Sequence, residues 1–186
     1  MNSTSFTKAY IPYGGYYSTP FCRWQMSMQY DNAIFLGPNT ARRWFLEKRK
    51  LDPTIIDYLY FGTTVAQHHW FYSHQMAGAI ITDDKKFVPG LFIHQACSTS
   101  TTILGLLAKD MELGAYDVGY GLMTDRCSNG PHTTWPNPFG PGGELEDENW
   151  NMDNFAGNPR VPVAMVETGE NVAKEIGITK EECDAL

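Results

Sequence analysis

Val88-Pro89-Gly90-Leu91-Phe92-Ile93-His94-Gln95-Ala96-Cys97-Ser98-Thr99-Ser100-Thr101-Thr102-Ile103 runs from an apolar, strand-like segment through a cysteine into helix-like sequence. The strand is read over Val88 to Ala96 and the helix over Ser98 to Leu113, with Gly114 as a natural C-cap. A cysteine at the first turn of a helix lies among unpaired backbone N–H groups at the positive end of the helix dipole, an arrangement that favours a thiolate. Free cysteine more often packs as a small buried hydrophobe. Cys97 is therefore read as a nucleophile only because its strand, its helix and the segments beyond them agree.

Working outward from that junction, the same alternation repeats. Lys8 to Tyr13 reads as a short first strand stopped by Gly14-Gly15, and Asn39 to Lys50 as a helix capped after Pro38. Ile55 to Phe61 is β-branched and aromatic and ends at Gly62, as a buried strand does, and a helix is expected over Tyr72 to Ile81. Downstream of the cysteine, Tyr116 to Met123 reads as another buried strand. The order β-α-β-α-β-α-β implies parallel strands joined by helical crossovers, hence an α/β sheet covered by helices. Sites in such sheets gather at the carboxyl ends of the strands, which is where Cys97 falls.

After Asp125 the composition changes. Ser128 to Pro162 is dense in Gly, Pro, Asn and acidic residues, too long for a simple connection and expected to be a functional loop region, with Glu144 to Asp153 as a solvated acidic face. Helix returns at Glu170 to Ile176, and Thr179 with Glu182 forms a capping box for one more, within which the sequence stops. The expected division is residues 1–125 as the α/β domain carrying the nucleophile, 126–170 as a loop region for substrate, and 171–186 as the start of the next helices.

With 186 residues, 42% of them hydrophobic and 19% charged, the chain has the composition of one globular domain with a good core. A net charge of −7 argues against a nucleic-acid or anionic-membrane surface. The polar start and the lack of any long apolar run point to a soluble, cytoplasmic protein. Four dispersed cysteines, Cys22, Cys97, Cys127 and Cys183, form no C-x-x-C pair, so reduced thiols are expected rather than disulfides or zinc. His68, His69 and His74 lack the i, i+4 spacing of a helical metal pair, and no metal site is expected.

Four segments in order resemble the thiolase family, in particular the amino-terminal half of a thiolase. Ser18-Thr19-Pro20-Phe21 is similar to the family's R-T-P-F turn, with serine in place of arginine. Val88-Pro89 and the downstream Cys97-Ser98 resemble its V-P-A-x-x-V-N-x-x-C-[AS]-S-G nucleophile segment. Asp125-Arg126-Cys127-Ser128-Asn129-Gly130-Pro131 is similar to E-S-M-S-N-A-P. Met165 with Thr168-Gly169-Glu170-Asn171-Val172-Ala173, followed by Ile178 to Asp184, resembles M-G-x-T-A-E-N-V-A and I-S-R-E-E-Q-D. Departures are His94 for asparagine, Ser100 for glycine and Leu122-Met123 for a Gly-Gly pair. The turn Cys97-Ser98-Thr99-Ser100 also has some likeness to that of ketosynthases, a related branch, but the downstream segments favour thiolase.

The resemblance implies a thiolase-like α/β fold and an acyl-CoA acyltransferase. Cys97 would attack a 3-oxoacyl-CoA and hold the acyl group as a thioester until coenzyme A, a co-substrate rather than a bound cofactor, removes it. Candidates for contact with substrate or coenzyme A are His94, Ser98 and Ser100 around the cysteine, then Asn129, His132 and Met165. The family's G-H-P histidine and C-x-G-x-G cysteine motifs do not occur in this sequence, so the chain is expected to be incomplete relative to the family, its base supplied elsewhere. A homodimer or higher oligomer is implied, and by analogy a small OB-fold, zinc-binding partner. Aromatics at Tyr16, Tyr17, Trp24, Trp70, Phe71 and Tyr72 hint at a bulky or aromatic acyl group, as in aromatic-compound degradation. The alternative reading is a non-catalytic thiolase-like subunit for assembly or substrate docking.

Overall fold

Tyr58-Leu59-Tyr60-Phe61-Gly62 forms the central strand, β1 (Tyr58–Gly62), of a three-stranded parallel sheet. It pairs on one side with β2 (Gly90–Ile93), in the register Phe61 opposite Phe92, and on the other with β3 (Gly119–Met123), in the register Phe61 opposite Leu122. Helix α2 (Ser73–Thr82) connects β1 to β2, and α3 (Thr99–Leu113) connects β2 to β3. A further helix, α1 (Ala33–Arg43), precedes the sheet and continues as a π-helical segment, Trp44–Arg49. The computed structural model describes residues 5–23, 25–126, 131–141, 143–149 and 152–186. The chain divides into two units, Met1–Asn129 and Gly130–Leu186.

The period of two along β1 sorts its side chains between the helix layers. Leu59 and Phe61 join Ile34, Ala41, Trp44 and Phe45 of the first helix, Ala77 and Ile81 of α2, and Leu122 of β3 in one buried cluster. Full burial of a side chain such as Phe61 contributes roughly 1.5–3 kcal/mol. Toward α3 the pattern is different. The Tyr60 hydroxyl donates to Asp110 at 2.5 Å, the Tyr116 hydroxyl donates to the same carboxylate oxygen at 2.7 Å, and Tyr58 stacks on Tyr116. Burial, reinforced by the Asp110 carboxylate, pushes the Tyr60 phenol up to about 12 and raises that of Tyr116 as well.

Three sequence expectations shift. No strand forms over Lys8 to Tyr13: Tyr10 and Tyr13 point into solvent, and the backbone of Thr7, Lys8 and Ala9 donates instead to the Glu112 carboxylate at 2.8–3.3 Å. The turn at Gly14-Gly15 is present, closed by Gly15 N–H to Pro12 at 2.7 Å. The helix expected from Asn39 begins six residues earlier, because Asn32 caps Ile34 at 2.8 Å and Pro38 is carried inside α1 rather than before it. The strand expected from Ile55 starts at Tyr58, since Pro53–Ile55 turns as a 3-10 helix capped by Asp52.

In the second unit, β4 (His132–Pro136) and β5 (Leu145–Asn149) form an antiparallel hairpin where the sequence reads as loop. Its cross-strand side-chain bonds explain why so acidic a strand holds: Thr134 donates to Asp147 at 2.7 Å and the Trp135 indole N–H to Glu148 at 2.6 Å. Short α4 (Met152–Ala156) follows, then α5 (Met165–Ile176) and α6 (Lys180–Asp184). The capping box at Thr179 and Glu182 forms as the sequence indicates, with paired bonds of 2.9 and 3.2 Å. Among the described residues no helix is long and apolar enough to cross a membrane.

Candidate functional site

The chain leaves the sheet at Ile93 and must turn sharply to enter α3 at Thr99. Gln95 carries φ −138° and ψ 42°, Ala96 takes φ +45°, and Ala96–Ser98 forms a 3-10 turn with exposed Cys97 at its centre. A left-handed alanine costs roughly 1–2 kcal/mol, and such strain persists where surrounding contacts over-determine it. Four side-chain hydrogen bonds supply those contacts. The Thr99 hydroxyl accepts Gln95 N–H at 2.9 Å and donates to the Ala96 carbonyl at 2.8 Å; the Ser98 hydroxyl donates to the Gln95 carbonyl at 2.8 Å; and the Thr102 hydroxyl donates to the Gln95 side chain at 2.5 Å.

Close approach of β1 locks the turn from below. A Cβ on Gly62 would stand 2.5 Å from the Thr99 methyl and 2.8 Å from the Ile93 carbonyl, so only glycine lets the strand end meet the start of α3. His94 Nε2 lies 2.9 Å from the Thr64 carbonyl. A carbonyl only accepts, so Nε2 is the donor of this bond. The Trp70 ring stands 6.2 Å from that imidazole.

A cleft of about 490 Å³ opens at the carboxyl ends of β1 and β3. Thr99 and Ser100 line it, together with the Ser18-Thr19-Pro20-Phe21 turn, Thr40 and Trp44 of the first helix, Gly62 to Thr64, Tyr120, and Leu122 to Asp125. Of the candidates from sequence, Cys97, His94 and Ser98 thus share the turn, while Ser100 alone of them lines the cleft. His132 opens β4 opposite Asn149 and Met165 opens α5; both are exposed and belong to the second unit. Asn129 and Trp24 lie outside the described residues. Tyr17 lines the cleft, whereas Phe71 and Tyr72 are exposed in the turn before α2. Among the described residues no three His, Cys, Asp or Glu side chains gather to hold a metal.

Sequence reasoning did not single out Gln95, Ala96, Thr99 or Trp44. Thr99 and Gln95 flank the cysteine and were visible as polar residues at a strand–helix junction. No signal marks Ala96 as left-handed, and none marks Trp44 as the start of a π-helical segment.

No family model matches the chain. It is 26% identical over 139 residues to a peroxisomal 3-ketoacyl-CoA thiolase of Arabidopsis thaliana, a match that covers 75% of this chain and 29% of that protein. Two solved structures share the fold. Human mitochondrial 3-ketoacyl-CoA thiolase in complex with CoA superposes with a TM-score of 0.66 at 19% identity, covering 90% of this chain and 42% of that one. The acetyl-CoA acetyltransferase of Bacillus anthracis superposes at 0.62 and 19%, covering 86% and 40%. The chain therefore spans well under half the length of these relatives. It is a thiolase homologue with a thiolase-like α/β fold.

Proposed function

We propose that this chain supplies the nucleophile of a thiolase-type acyltransferase site, with Cys97 as the acyl-accepting residue. The reading is carried by one observation: an exposed cysteine at the centre of a strained, hydroxyl-braced turn between the carboxyl end of a central-sheet strand and a helix. The Cys97 thiolate attacks the ketone carbonyl of a 3-oxoacyl-CoA. The bond between the carbonyl carbon and its neighbour then breaks, acetyl-CoA leaves once its carbanion is protonated, and the acyl group stays on sulfur as a thioester. Coenzyme A attacks that thioester, releasing the shortened acyl-CoA and the cysteine. The backbone N–H of Cys97 is the candidate donor to the developing oxyanion.

The groups that deprotonate the cysteine and protonate the leaving carbanion come, on this reading, from sequence outside these 186 residues or from another chain in an oligomer. Asn129, His132 and Met165 remain candidates for holding coenzyme A. Competitive alkylation tests the proposal: iodoacetamide should label Cys97 faster than Cys22, Cys127 or Cys183, and acyl-CoA should protect it. Uniform slow labelling would remove the nucleophile and leave the non-catalytic assembly or docking subunit as the reading. Co-expression with a small OB-fold, zinc-binding protein, followed by size exclusion, tests the partner.

A further inference from the structure

We propose that a pocket at the amino-terminal ends of β1 and β2, away from the Cys97 turn, is a second ligand site that takes a medium-chain monocarboxylate. Its place follows from the topology: Asp52 and Pro53 precede β1, and Ile81 to Asp83 with Lys85 precede β2, whereas the Cys97 turn follows β2. The site needs nothing from the acyl-transfer reading. It encloses about 410 Å³, the size of a small-molecule pocket. Leu46, Leu51, Pro53 and Ile81 form its apolar wall, and Leu46 and Leu51 are left 43% and 44% exposed there. Apolar surface facing water inside a pocket favours an apolar occupant.

The rim sets the charge of that occupant. Arg42, Lys50 and Lys85 stand against the carboxylates of Asp52 and Asp83, an excess of one positive charge in a chain of net charge −7. Asp83 is committed to Arg42 at 2.7 Å and to Lys85 at 3.7 Å, and Asp52 accepts the Thr54 N–H at 2.9 Å. Lys50 enters no ion pair among the described residues, since Glu47, one turn earlier, is bonded to Arg43 at 3.2 Å instead. One unmet cation beside an apolar wall matches a single negative charge on an apolar body, and the several charges of a CoA ester exceed it. The backbone holds Lys50 in place. The π-helical segment Trp44–Arg49 ends on Lys50 at φ +56°, where the N–H groups of Lys50 and Leu51 both bond the Phe45 carbonyl, and α2 ends on Asp83 at φ +59°. Helices that end left-handed usually place glycine there, whereas both of these positions carry a charged side chain at the same pocket. A π-helical turn is rare and retained mostly at functional sites, and this one contributes Leu46 and its cap Lys50 to the wall.

Calorimetry and methyl NMR on the whole chain test the site with sodium octanoate as the probe. Octanoate should bind saturably and at least ~10-fold more tightly than acetate, which lacks the apolar body. Octylammonium, with the same body and the opposite charge, should bind at least ~10-fold more weakly than octanoate. The methyl signals of Leu46, Leu51 and Ile81 should shift on titration, and those of Leu122, in the wall of the cleft at the other end of the sheet, should not. Lys50→Asn removes the charge while keeping a residue that tolerates the left-handed turn, and should weaken octanoate at least ~5-fold. Leu51→Glu, at an exposed position, replaces apolar contact by like charge and should abolish binding. Absence of saturable binding, octylammonium binding as tightly as octanoate, shifts at Leu122 in place of the three pocket residues, or an affinity unchanged in both variants overturns the proposal.

Discussion

The hydroxyl of Thr99 accepts the backbone N–H of Gln95 at 2.9 Å, so the four residues bracketing Cys97 are closed by a side chain in addition to the 3-10 bond from Ser98 N–H to the Gln95 carbonyl at 3.1 Å. Thr99 is 2% exposed, and Thr99→Val would keep its volume while leaving the Gln95 N–H without that partner. The expected loss is about 1–3 kcal/mol in urea denaturation. Cys97 labelling should slow as the turn loosens, and Thr99→Ser should restore both.

Ala96 provides a second measure of the same turn. With φ at +45°, glycine relieves the left-handed strain of roughly 1–2 kcal/mol but gives back about 0.5–1 kcal/mol in chain entropy. Ala96→Gly should therefore be neutral to slightly stabilising, whereas a β-branched residue is worse than either. Thermal melts that rank Ala96→Val above the other two would refute the backbone assignment.

Gly62→Ala forces a Cβ to within 2.8 Å of the Ile93 carbonyl and 2.5 Å of the Thr99 methyl. Overpacking of this kind costs about 1–3 kcal/mol. Because the obstruction sits directly beneath the start of α3, the variant should also change the rate of Cys97 alkylation, which an equally destabilising change remote from the turn would not. Comparing the two rates at matched stability checks it.

Glu112 gives a pH dependence with a defined sign. The Thr7 hydroxyl, then the amides of Lys8, Thr7 and Ala9, hold its carboxylate down at about 2, below the ordinary value of 4.5. A carboxyl depressed by folding stabilises fully above its unfolded value and loses that contribution as pH falls toward its folded value. Amide hydrogen exchange at Lys8 and Ala9, corrected for intrinsic rate, should stay protected above about pH 4.5 and open progressively toward pH 2. In Glu112→Gln the charged acceptor is gone and protection should be weak at every pH.

Much of the α/β frame was legible because it rests on local patterns: the apolar run before Cys97, Gly114 as the cap of α3, and the Thr179–Glu182 box each act within a few residues. Pro38 misled because proline usually begins a helix, while here Asn32 had already capped one and the proline rides on its buried side. Lys8 to Tyr13 misled because its amides go to a side chain on α3, a partner no local pattern reveals. The β4–β5 hairpin was hidden by its acidic sequence, whose carboxylates are spent on threonine and indole donors across the pair. The cleft could not be read at all, since its wall is assembled from separated segments and a π-helical turn.

The position of β1 in the middle of its sheet governs the order in which that sheet can be built. As the first of the three strands in the chain, it emerges with both edges bare, and the side facing β2 stays open until Gly90 arrives and that facing β3 until Gly119. Through that interval a strand rich in tyrosine and phenylalanine offers unpaired backbone to any neighbour. Nascent chains stopped between Gly62 and Gly90, with both edges of β1 bare, are accordingly the ones most exposed to aggregation, and a chaperone has its greatest effect on yield at that length.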